Sequence, residues 1–244
     1  MENSPRPSPP ASTKSQEKFD GTIAIDGPSA AGKSTVGKEV ARRLGHPFLD
    51  TGAMYRAITW AALQHSVDLE DDEALGEMAH SLELKVGPAK PDSNEACTIW
   101  LDGQEITDKL RLPEVEAAVS LVSRIPMVRE ALVKLQRQLA ASQPVVMAGR
   151  DIGTVVLPDA DLKIYLEASL DERAMRRYKE LQALGRTVSL AEVSHDLARR
   201  DRIDSERKVS PLQPATDAII IDTNDLTLEE VVEKVMELIN GRPS

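Results

Sequence analysis

Gly27-Pro28-Ser29-Ala30-Ala31-Gly32-Lys33-Ser34 fits the spacing G-x-x-x-x-G-K-[ST], a pattern whose chemistry is the binding of phosphate. The small residues Ser29, Ala30 and Ala31 let the backbone wrap an anion, so that its amides and the start of the next helix point inward. Lys33 sets a cation on the β and γ phosphates of a nucleoside triphosphate. Ser34 offers a hydroxyl to Mg²⁺, whose other ligands are expected to be water and phosphate oxygens, and Thr35 reaches the α-phosphate. Every residue of 27–35 is thus a candidate ATP contact.

Arginine supplies the second set of candidates, in Tyr55-Arg56, Val128-Arg129, Gly149-Arg150-Asp151, Arg176-Arg177 and the run 199–207. A planar guanidinium grips phosphate through two parallel hydrogen bonds and keeps its proton. Any one of these arginines is most simply a surface ion pair. Several, however, stand at strand ends or helix starts of a chain whose net charge is −10, and a long nucleic-acid face or attraction to anionic lipid does not suit that charge. A local basic pocket does. No N-K-x-D guanine-reading motif is present, which disfavours a GTPase, and the phosphate loop is of the wrong type for a protein kinase. What remains is a kinase of a small molecule.

For such a loop to work, a strand must enter it and a helix must leave it. Residues 22–26 form a short apolar run and 33–44 repeat apolar residues at helical spacing. The unit recurs with a strand at 47–50 and a helix at 51–64. From 67 to 142 the pattern changes: helix signals precede alternating runs at 82–86 and 98–101. Asp102-Gly103 marks a hairpin, and helices follow at 113–123 and 126–141. Strand and helix then alternate again over 145–148, 162–166, 170–184, 190–202, 218–222 and 228–239. Short, almost wholly apolar strands belong to a parallel sheet covered on both faces, so the expected fold is three-layer α/β with 67–142 as an inserted subdomain. Residues 1–20, rich in Pro and Ser, read as a disordered tail. The single cysteine, Cys97, fits packing and calls for no oxidising compartment. With no apolar run of about 18 residues and no signal-peptide pattern, the chain is expected in the cytoplasm, off the membrane.

The motifs 27–35, Asp50-Thr51-Gly52-Ala53-Met54-Tyr55-Arg56, Gly149-Arg150-Asp151-Ile152-Gly153-Thr154 and 200–207 with Ser210-Pro211-Leu212, in that order, resemble the bacterial cytidylate kinases. The likeness runs from about residue 21 to 239. It implies transfer of the γ-phosphoryl group of ATP to CMP or dCMP, with Mg²⁺, in a P-loop fold with a monophosphate-binding insertion and a helical lid near 171–200. Carried over onto this sequence, Thr51, Tyr55 and Arg56 meet base and phosphate, with Thr51 standing where the family often has serine. Ser120, Arg129 and Asp151 match positions that read cytosine, whose exocyclic amine is a donor and whose ring atoms accept. Arg200, Asp204 and Arg207 match the lid-side cluster, Asp204 accepting from a sugar hydroxyl. Arg150, Arg200, Arg207 and Lys33 form the catalytic charge clamp.

Three points stay open at this level. Asp50 either orders Mg²⁺-bound water or caps a helix. Gly185-Arg186 either hinges a lid or ends a helix, and Arg176 and Arg177 just before it lie within reach of ATP. A silent nucleotide-binding module, or a kinase of UMP, AMP or another small acceptor, would share the phosphate loop. The site calls for no partner chain, so a monomer acting on small molecules, with no nucleic acid, is expected.

Overall fold

The computed structural model describes residues 19–90, 93 and 95–241, so the Pro- and Ser-rich tail lies, through residue 18, outside the described residues. The strands Ile23–Asp26 (β1), Phe48–Asp50 (β2), Val146–Ala148 (β6), Leu162–Glu167 (β7) and Ile219–Asp222 (β8) form one sheet in the order β2-β6-β1-β7-β8. Every pairing in it is parallel. Parallel strands need crossovers, and helices Lys33–Leu44 (α1) and Thr51–Gln64 (α2) supply the first two. Because side chains alternate across a strand, Ile23 and Ile25 pack with α1 and the last helix, Leu228–Asn240 (α8), while Ala24 and Met147 face α2. The sheet is therefore the middle of three layers, as its apolar strands imply.

Between α2 and β6 lie helices Asp72–Ser81 (α3), Pro113–Ser123 (α4) and Pro126–Ala140 (α5), with an antiparallel sheet of Leu84–Pro88 (β3), Cys97–Leu101 (β4) and Gln104–Glu105 (β5). Asp102 and Gly103 both have positive φ, the conformation of a type I′ hairpin, and join β4 to β5. Proline opens both α4 and α5, where its missing N–H has no partner to lose. The apolar sides of these elements merge with α2 into one continuous core, so the insertion is built onto the sheet rather than beside it.

Two boundaries differ from expectation in ways that matter. Helix Leu190–Glu206 (α7) runs four residues beyond 202, because no glycine or proline interrupts it before Pro211. β3 begins at Leu84 instead of 82, since the Asp71-capped α3 carries on to Ser81. Helix Leu170–Ala183 (α6) packs on α7 through Ala174, Leu181, Val193 and Leu197, a small core of their own.

α6 ends in a Schellman motif: the Arg186 N–H donates to Leu181 O and the Gly185 N–H to Gln182 O, with Gly185 at φ 73°. Of the two readings of this break, the helix cap is the one the hydrogen bonds form. Gly185→Ala has open space for its methyl group but must hold a left-handed backbone, at a cost of about 1 kcal/mol. Thermal melting should fall by roughly 2–4 °C with kcat unchanged. A reduced kcat at full stability would make Gly185 a hinge instead.

Candidate active site

Parallel strands place all their carboxyl ends on one edge, and there the loops after β1, β2 and β6 meet. A cavity of about 340 Å³ opens at that edge. Its walls include Ser29, Ala30, Gly32, Lys33, Ser34 and Thr35 from the phosphate loop and Thr51, Tyr55 and Arg56 from α2. Ser120 and Arg129 reach it from α4 and α5, Arg150 and Asp151 from the end of β6, and Arg200, Asp204 and Arg207 from α7 and its end. Of the residues expected at the site, Gly27, Pro28 and Ala31 alone stay out of the lining. They shape the loop from behind: a Cβ on Gly27 would lie 2.1 Å from the Leu166 carbonyl oxygen, and Pro28 O accepts from both Ala31 N and Lys33 Nζ.

The loop differs from expectation at one amide. Ser29 N–H donates to the carboxylate of Asp201 on α7 (3.2 Å), so it does not face the cavity. Arg173 binds the same carboxylate and Ser29 O, tying α6 and α7 to the loop. Asp201 lies within the 200–207 motif but had no role assigned to it, Arg173 belonged to no motif, and the contact of Asp201 with Ser29 spans 172 residues.

Of the two roles left open for Asp50, the structure forms the helix cap. Its Oδ1 caps α2 through Gly52 N–H, and its Oδ2 accepts from Ser34 Oγ at 2.9 Å, beside Arg56. Burial works against its charge, but Arg56, Arg111, Ser34 and Lys33 outweigh it and hold its pKa below the ordinary value. The Thr51 hydroxyl donates to Ala148 O, leaving its oxygen free to accept.

Asp151 is the hinge of the base-side arrangement. One of its oxygens takes Arg129, while Arg207 approaches the other at 3.5 Å. Arg129 also lies over the Tyr55 ring, 5.6 Å from its centre. Arg150 bridges Asp204 (2.9 Å) and Ser29 Oγ (2.8 Å), joining β6, α7 and the phosphate loop. Arg200, Asp204 and Arg207 share a face because the longer α7 brings them round at steps of four and three residues.

Burial, with neighbouring cations second, lowers the pKa of three of the site's arginines. Burial, then Arg150, pushes Arg200 down to about 10; burial, then Arg111, lowers Arg56; burial, then Arg129, lowers Arg207. The Nε atoms of Arg56, Arg129 and Arg200 and Nη2 of Arg207 are buried without a hydrogen-bond partner among the described residues. Each such donor costs about 1–3 kcal/mol, so the arrangement suits a ligand with several anionic oxygens.

Arg176 and Arg177 line the cavity as well, but both already hold protein partners. Arg176 binds Thr223 and Glu172, while Arg177 binds Glu180 and Glu116. Glu116, on α4, was not foreseen. Arg186 also pairs with it, so one carboxylate ties the insertion to α6 and the turn after it. Burial opposes that charge, yet Arg177, Arg111 and Arg200 keep its pKa below the ordinary value. A lone glutamate on a helix carries no sequence signal for such a role.

A phosphate loop at the end of the central strand, faced by guanidinium donors that have no hydrogen-bond partner among the described residues, can hold two phosphate-bearing molecules end to end. The class so defined is a P-loop kinase whose acceptor is itself phosphorylated. Residues 23–241 match the family described as cytidylate kinase. The "Cytidylate kinase" of Desulfitobacterium hafniense (strain Y51) is 50% identical over 220 residues, covering 90% of this chain and 93% of that protein. That of Caldanaerobacter subterraneus subsp. tengcongensis is 51% identical over 217 residues, 89% and 93% of the two chains. A "Bifunctional pantoate ligase/cytidylate kinase" of Synechococcus sp. (strain JA-3-3Ab) is 51% identical over 216 residues, 88% of this chain and 40% of that one. The chain belongs to the cytidylate kinase family and is a nucleoside monophosphate kinase.

Proposed function

We infer that this chain transfers the γ-phosphoryl group of ATP to CMP or dCMP, giving ADP and CDP or dCDP. The observation that carries the reading is the set of buried guanidinium nitrogens of Arg56, Arg129, Arg200 and Arg207 that have no hydrogen-bond partner among the described residues, opposite the phosphate loop. The loop of 27–35 takes the triphosphate, with Lys33 on its terminal phosphates. Arg56, Arg150, Arg200 and Arg207 hold the acceptor phosphate in line and spread the transferred charge, which supplies most of the catalysis because the attacking oxygen is already anionic. Asp151 and Thr51 accept from the cytosine amine, Ser120 and Arg129 supply the opposite polarity, and Asp204 accepts from the sugar.

Mg²⁺ fits at Ser34 Oγ, where Asp50 stands behind as acceptor of the hydroxyl or of a metal-bound water. Among the described residues no three His, Cys, Asp or Glu side chains converge into a metal cage, so the ion would arrive with the phosphates. When bound, it neutralises charge on the β and γ oxygens. We further propose that 67–142 is the acceptor-binding unit and that 171–200 closes as a lid that excludes water. A monomer in the cytoplasm is the corresponding reading. No helix among the described residues is long and apolar enough to cross a membrane.

The test is ADP formation with Mg²⁺-ATP and, in parallel, CMP, dCMP, UMP, AMP or GMP. Turnover confined to CMP and dCMP is the expected result; ATP binding without turnover on any acceptor would leave a regulatory module. Arg207→Lys keeps a charge but loses the fork, and it should lower kcat by about tenfold or more while ATP affinity changes little. An unchanged kcat removes Arg207 from the clamp.

A further inference from the structure

Asp26 closes β1, one residue before the phosphate loop, and is 3% exposed. Its carboxylate does not turn toward that loop. Oδ1 accepts from Ile152 N–H and Oδ2 from Gly153 N–H, each at 2.8 Å and from 126 and 127 residues away. These amides open a short π-helical turn, Ile152–Val156, and so have no acceptor within it. The residue just before them is Asp151, at φ −148° and ψ 28°, a conformation belonging to neither helix nor strand. Room for adjustment is small, since a Cβ on Gly153 would lie 3.1 Å from Lys163 and 3.4 Å from Asp26 Oδ2.

We propose that Asp26 is a positioning residue of the acceptor site, fixing the backbone of 151–153 and through it the aim of Arg150 and Asp151. The proposal rests on the cytidylate kinase reading and deepens it. Holding two N–H donors needs both oxygens as acceptors, hence the ionised carboxylate. Burial pushes the Asp26 pKa up to about 6. Asp151 adds to the rise and Lys33 on α1 opposes it; on β7, Lys163 packs beside Gly153 and Tyr165 is the register partner of Asp26. The grip is therefore complete above that value and is lost as pH falls through it.

Asp26→Asn keeps the shape but turns an NH₂ group onto one of the two amides. Steady-state kinetics should show KM for CMP raised about tenfold or more, with KM for ATP within about twofold. The phosphate of CMP itself titrates near pH 6, so the readout is the difference between the two proteins. Wild-type kcat/KM for CMP should fall more steeply below about pH 6 than that of the variant. Equal rises in both KM values, or no rise in either, with identical pH profiles, would overturn the proposal. A second measurement needs no variant: hydrogen-exchange protection of the Ile152 and Gly153 amides should drop as pH falls through about 6, and pH-independent protection also overturns it. Failure of the underlying reading looks different, because then the wild-type protein would not phosphorylate CMP at all.

Discussion

Lys33→Ala lowers kcat roughly 10³-fold, about 4 kcal/mol of transition-state stabilisation, with a smaller change in CMP affinity. The ammonium is buried and donates to Pro28 O, so it is held where the terminal phosphates of ATP would lie. Burial, reinforced by Arg150, presses its pKa well below that of an ordinary lysine. Carrying the charge without a phosphate thus costs the folded state, and removing it should leave Tm at or above the wild-type value. Activity and stability then move in opposite directions, the signature of a group held for chemistry. Loss of activity together with a lower Tm would mean that Lys33 mainly braces the loop.

Asp151→Asn is the second large effect, and it acts on two quantities at once. The carboxylate faces two buried guanidinium groups, those of Arg129 and Arg207, whose side chains are 3% and 2% exposed. An amide keeps one acceptor but no charge, leaving two buried cations without their counter-ion. Breaking a buried pair costs about 3 kcal/mol, which for a domain of this size is on the order of 6–12 °C in Tm. In the proposed role, the amide can also turn a donor toward the base, which suits uracil better than cytosine. The kcat/KM for CMP should fall about 100-fold and the preference for CMP over UMP should narrow by a similar factor. Calorimetry and parallel assays with both acceptors check this. A preserved preference would move base reading to Ser120 and Thr51.

The placement of much of the site was legible in the sequence. The phosphate loop sits between β1 and α1 as its motif demands, and α1 and α2 begin and end where the residue pattern places them. Arginines from all five sequence clusters do meet in one cavity. What escaped was of a different kind. Asp26 grips amides 126 residues away, Asp201 takes the amide of Ser29, and Glu116 ties the insertion to α6. The π-helical turn after Asp151 also left no mark in the residue spacing.

Helical period, hairpin turn, proline at a helix start and phosphate-loop spacing are short-range matters, governed by sterics and hydrogen bonds within a few residues, so the amino-acid order alone determined them. The ordered set of motifs also carried the family. Which acidic group faces which arginine depends instead on the strand order β2-β6-β1-β7-β8. That order inserts β6 between β1 and β2 and so sets the 149–153 segment against both the phosphate loop and α2. Asp50 shows the division well: its place before α2 makes it a helix cap, but its second oxygen finds Ser34 only because the two strand ends lie side by side. A carboxylate's partners are settled by packing across the whole chain, and local sequence holds no record of them.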